Sequence, residues 1–217
     1  TPARAPADDS RIARAASSAV TWIARHWLAC FNTAWALYAF APFLAPLLMH
    51  LGLEAPARAI YFLYSFTCHQ LPDHSYFLFG PAHAPQADQL IAAGMPATSN
   101  LLVERKFIGN PEIGYKVALC ERDVAIYASV FFAGVAFSFV RSWLRPLPGK
   151  WFLVLMLPMA LDGGSQLIGL RESNWLLRMI TGSIFGIAAV WWAYPYVQDA
   201  MSDVLREEAQ RQAAAQK

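Results

Sequence analysis

Ionisable and sulfur-bearing residues fall in four groups along this chain, each inside or at the end of an apolar run. Cys68, His69 and Gln70 close the first, and Cys120, Glu121, Arg122 and Asp123 open the second. Asp162, Ser165 and Gln166 lie within the third, and Arg171 and Arg178 precede or enter the fourth. Cys120 and Asp123 stand three positions apart and Asp162 and Gln166 four, so on a helix each pair shares a face. A carboxylate in an apolar run needs a cation, and Arg122, Arg171 and Arg178 are the partners on offer for Asp162. Two chemistries fit. One is a structural ion-pair network holding helix ends together. The other is an anion or head-group site built from Asp162, Gln166, Arg122, Arg171 and Arg178.

The elements that position these groups follow from composition. Hydrophobic residues make up 57% of the 217 residues and charged ones 15%, against about 25% charge in an ordinary soluble domain. Mean hydropathy is +0.33. Disorder is excluded by the 14% aromatic content, and no basic stripe interleaved with aromatics suggests nucleic acid. A bilayer core needs roughly 20 apolar residues per helix. The runs Trp27–Met49, Val124–Val140, Trp151–Leu170 and Met179–Val197 meet or approach that length. They predict an all-α, polytopic membrane bundle of four transmembrane helices. Ala59–Cys68 is too short to span and reads as a short re-entrant or interfacial helix, bounded by Pro56 and Pro72.

Arginine and lysine in short loops set the orientation. Arg4, Arg11, Arg14 and Arg25 precede the first run, Arg141, Arg145 and Lys150 lie between the second and third, and Arg206, Arg211 and Lys217 follow the fourth. Four spans place all of these on the cytoplasmic side, and the polar groups then gather toward the outer face. Residues 1–26 read as a basic interfacial tail with no cleavable signal, 27–197 as the transmembrane domain with an outer insertion at about 81–116, and 198–217 as a cytoplasmic helical tail. Pro158 and Gly163-Gly164 around Asp162 predict a kinked helix lining a cavity. Gly182 and Gly186 form a G-x-x-x-G pair that lets another helix approach closely.

Cys68-His69-Gln70-Leu71-Pro72, Cys120-x-Arg122, Asp162-Gly163 with Gln166, and Arg178 with Thr181-Gly182 and Gly186 together resemble a family of small bacterial and archaeal membrane proteins catalogued as domain of unknown function twenty eighty-five. The resemblance runs over roughly residues 60 to 195 and brings no established activity. The family pattern implies Cys-His-Gln followed by Cys-x-Arg-Cys, and here Asp123 replaces the last cysteine. His74 likewise stands where the family more often has arginine. The substitution at 123 keeps four potential ligands, Cys68, His69, Cys120 and Asp123, for zinc or iron. A Cys68–Cys120 disulfide and free buried thiols are the alternatives, while Cys30 is expected to pack within the first span.

Three classes of function remain. The first expectation is an accessory or structural subunit of a membrane assembly, with other membrane proteins as partners. The second is a membrane-embedded metal-dependent enzyme acting on a lipid head group, quinone or small anion. The third is a small carrier or channel. No H-E-x-x-H, G-x-S-x-G or phosphate loop is present.

Overall fold

The computed structural model describes residues 7–215, so Arg4 and Lys217 lie outside the described residues. Three long helices dominate. Helix α1 spans Ala7–Phe40, α6 spans Glu121–Val140 and α8 spans Trp175–Ala215. Each carries a segment long and apolar enough to cross a bilayer, the first continuing through a 3-10 turn into α2, Leu44–His50. Helix α7, Gly149–Leu167, is the fourth span expected from sequence. It is not among the three because Lys150, Asp162 and Gln166 dilute its apolar content. One face of it is apolar and exposed, with Leu153, Leu157 and Leu161 four residues apart, while Asp162 is buried at 2% exposure.

Helix α6 is the hub, packed on α1, α7-flanking α8 and the sheet. Trp27 and Leu28 of α1, Ile126, Val130 and Phe137 of α6, and Val190 and Tyr194 of α8 form the main apolar core. The G-x-x-x-G pair works as expected, because a Cβ on Gly186 would overlap the Ser129 hydroxyl and the Ile126 carbonyl of α6. A Cβ on Gly182 would lie 3.0 Å from the Arg122 carbonyl. Helices α6 and α8 are therefore locked at close range.

From Ala7 to Phe40 the basic tail and the start of the first apolar run form one continuous helix. Two expectations change. The short helix, α3, spans Glu54–Tyr64 rather than 59–68 and ends before Cys68. Cys30 is exposed instead of packed.

The strands flanking and closing the insertion form a sheet that the all-α expectation did not include. Strands β1 (Ser75–Leu78), β2 (Gly109–Asn110) and β3 (Gly114–Cys120) pair antiparallel in the order β1-β3-β2. Short helices α4 (Ala87–Ala92) and α5 (Leu101–Glu104) complete the insertion. Phe77, Leu90, Met95 and Ile113 give it a small core of its own. The register pairs Ser75 with Cys120, so β1 delivers His74 to the start of α6.

Candidate metal centre at the sheet end of the bundle

The chain leaves α3 at Tyr64 and turns sharply through the Cys-His-Gln motif. Gln70 adopts a left-handed conformation, φ 55°, which is uncommon for a residue with a side chain. Strain of this kind costs on the order of 1–3 kcal/mol and persists only where the surroundings enforce it. Here the Gln70 side-chain amide donates to the Tyr61 carbonyl at 2.8 Å and the Ala118 carbonyl at 3.0 Å. Its own carbonyl accepts from the Lys116 ammonium at 2.8 Å. The turn leaves Cys68 and Gln70 buried with His69 exposed between them.

The Cys68 sulfur accepts two backbone N–H groups, from Gln70 at 3.4 Å and from Cys120 at 3.2 Å. Cys120 caps the N-terminus of α6, its sulfur accepting the Asp123 N–H at 3.5 Å. The neighbouring Cys68 thiol and burial hold the Cys120 thiol well above the usual cysteine range. Both cysteines are free thiols. One donor atom each from Cys68, Cys120 and Asp123 lies within 4.8 Å of the others. His69, the fourth ligand expected from sequence, is outside this group. Adjacent side chains point apart at the turn, and His69 lines the cavity beside the group instead.

That cavity has a volume of about 540 Å³. Its walls carry Cys68, His69, His74, Cys120, Asp123 and Gln166, with Arg122, Glu172 and Arg178 completing the polar lining. The sulfur group and the arginine group expected separately from sequence thus face one space.

The arginines, however, are already engaged. Asp162 accepts from Arg122 on one oxygen and from Arg171 on the other, both at 2.7 Å. Arg178 does not reach Asp162 but pairs with Glu121 at 2.9 Å, with both side chains almost fully buried. Gly163 leaves room for this arrangement, since a Cβ there would stand 3.3 Å from Arg122 Nη1. Among the described residues Asp123 has no cationic partner.

A hydrogen-bond chain orients His74. Arg122, which can only donate, contacts Gln166 Oε1 at 3.3 Å, so the Gln166 amide NH₂ must face His74 Nε2 at 2.7 Å. That nitrogen is then an acceptor, and the ring proton sits on Nδ1, donated to Asp73 at 2.7 Å. His74 is thus oriented by the Asp73 carboxylate on the wall of the same cavity, with Glu172 Oε2 3.8 Å from its Nε2. Its role was not legible from its position after Pro72-Asp73, and neither was the Glu121–Arg178 pair. A glutamate at the first position of an apolar helix was the one available signal for the latter.

Fold and site define a helical membrane protein with a polar, sulfur-bearing cavity at one end of its bundle. Residues 104–192 match the family described as "Predicted membrane protein (DUF2085)", a stretch that includes Cys120, Arg122, Asp123, Asp162, Gln166 and Arg178. The chain is also 32% identical over 160 residues to the uncharacterised protein MJ1492 of Methanocaldococcus jannaschii, covering 70% of this chain and 81% of that relative. The chain belongs to this family of predicted membrane proteins. No solved structure matches it.

Proposed function

We propose that the protein is a membrane-embedded metal-dependent enzyme in which Cys68, Cys120 and Asp123 hold one zinc ion, leaving a fourth position toward the cavity. The observation that carries this reading is the convergence of two thiols and a carboxylate without a cation, within 4.8 Å of one another. Tetrahedral zinc with bonds of about 2.0–2.3 Å needs donors about 3.5–4 Å apart. The N–H donors on both sulfurs suit thiolate ligands, whose negative charge they stabilise. Three protein ligands with an open position are the pattern of zinc sites that activate water. His74, held by Asp73 on the cavity wall, is the imidazole placed to act as general base there.

The sequence-derived anion site receives less support, because Asp162 and Glu121 already neutralise the arginines. That network is better read as the clamp that shapes the cavity. A purely structural subunit role leaves the open donor set without a use. If Arg141, Arg145 and Lys150 are cytoplasmic, as the Lys/Arg rule expects, the cavity opens on the outer, oxidising face, where a metal would protect adjacent thiols from pairing.

The test is metal analysis of the full chain purified in mild detergent without chelator. About one zinc per chain is expected, falling to background in Cys68→Ser and Cys120→Ser. Iron in place of zinc would change the ion and keep the site. No metal in the parent protein, or equal metal in the variants, overturns the reading. Alkylation under non-reducing conditions distinguishes the disulfide, since only free or metal-released thiols are labelled.

A further inference from the structure

On the other side of Gln70 lies a second cavity of about 660 Å³. Gln70 lines both. The second cavity is lined by Arg58, Tyr61, Arg105, Lys106 and Lys116, and no acidic side chain contributes to its wall. Lys116 is fully buried at the centre of β3. Its ammonium donates to the Gln70 carbonyl at 2.8 Å and to the Arg105 carbonyl at 2.6 Å. An ammonium has three donors, so one remains for a ligand. The Arg105 guanidinium makes one hydrogen bond, to the Ser65 carbonyl at 3.1 Å. Neither Lys116, Arg105 nor Lys106 has a carboxylate partner among the described residues, and Arg58 is paired only at the exposed surface, with Glu54.

A buried cation with no counter-ion is costly, and an oxyanion relieves that cost. We propose that this cavity binds a phosphate-class oxyanion, with Lys116, Arg105 and Lys106 as its donors, presented as the head group of an anionic lipid or as free phosphate. Several donors converging from different directions match an anion with several acceptor oxygens, and the arginine fork suits phosphate geometry. Burial pushes the Lys116 ammonium down to about 7, with Arg105 adding to the effect, so the amine accepts its full charge readily once an anion is present. The rim points to the lipid source. Phe62 and Leu102, both cavity residues, are 64% and 66% exposed, an apolar surface for acyl chains beside a charged head group. This site is independent of the zinc reading, since none of its cationic donors belongs to the sulfur group.

The experiment is thermal unfolding and native mass spectrometry of the full chain in a neutral detergent. Inorganic phosphate is titrated in one arm, short-chain phosphatidylglycerol in a second, and a monoacylglycerol of equal chain length in a third. Saturable binding of one or both anions, at least about tenfold tighter than the neutral lipid, is the expected result. A response to phosphatidylglycerol alone assigns the site to lipid, and a response to phosphate assigns it to the free anion as well. Arg105→Gln combined with Lys106→Gln should weaken binding about tenfold or more. Should that variant unfold, Lys116→Met serves in its place, read by mass spectrometry of the remaining folded fraction. Absence of binding in both anion arms, equal binding of the neutral lipid, or undiminished binding in the variants overturns the proposal.

Discussion

The two cavities flanking Gln70 both carry arginines in their walls and have opposite character. In the first, Glu121 holds Arg178, and Asp162 holds Arg122 and Arg171. The carboxylates left over are Asp123, next to two thiols, and the exposed Glu172, neither with an arginine or lysine partner among the described residues. In the second, Lys116, Arg105 and Lys106 are left over and no acid lines the wall. What distinguishes them is the unpaired remainder rather than the number of charges. Paired charges build the wall, and unpaired ones name the ligand.

The strongest way to break this contrast is Glu121→Gln. It strands Arg178, which is almost fully buried, and turns the first cavity cation-rich. Losing one partner of a buried pair costs about 3–5 kcal/mol. The expected outcome is a large fall in the detergent unfolding midpoint together with loss of bound metal.

Asp162→Asn comes next. It strands two arginines, but Arg171 is 43% and Arg122 21% exposed, and solvent screens them. A cost of about 3 kcal/mol, at the lower end of the buried-pair range, is expected from the same unfolding measurement. Metal should largely be retained, because Asp162 does not belong to the donor group.

Gln70→Ala tests the partition itself. Two buried carbonyls lose their donor, a cost of about 2 kcal/mol. Metal content and anion binding should fall together in this variant, whereas variants on one side should affect one ligand only.

The smallest effect, per pH unit, is a slope of stability with pH. Lys116 takes up a proton in the folded chain only near pH 7, against 10.5 for an ordinary lysine. Between these values the unfolded chain binds the extra proton, so stability rises with pH through that window and is lost as pH falls toward 7. The slope is at most about 1.4 kcal/mol per pH unit. Lys116→Met should flatten it, and a saturating anion should reduce it, both read as unfolding midpoints between pH 7.5 and 9.5.

Much of the bundle was legible because membrane helices declare themselves through length and apolarity. Asp162 was legible for the same reason, since one carboxylate in an apolar run must be paired, and Arg122 and Arg171 are its partners. The choice among three arginines was not legible, because it depends on how α8 packs on α6 and brings Arg178 to Glu121. Strand β3 was missed since it is buried on both faces and shows no alternation to mark it. Lys116 therefore read as an insertion residue. The signal in hindsight is a lysine inside the short apolar run Tyr115–Cys120 that follows Gly114, the pattern of a buried strand. Cys68 and Cys120 were expected to approach each other, but the exclusion of His69 required the backbone of Gln70.

The length of α1 and α8 has a practical consequence at the end of the bundle away from both cavities. Helix α8 has 41 residues and α1 has 34, roughly 60 and 50 Å at 1.5 Å per residue, while hydrocarbon occupies only about 30 Å. Ser17 of α1 donates to Glu208 of α8, tying the two rods together in their terminal stretches. A small membrane protein of this kind is hard to image because detergent hides its features. This tied pair offers a natural fiducial, where a rigid fusion or a helix-binding antibody fragment could be spliced without disturbing either ligand site.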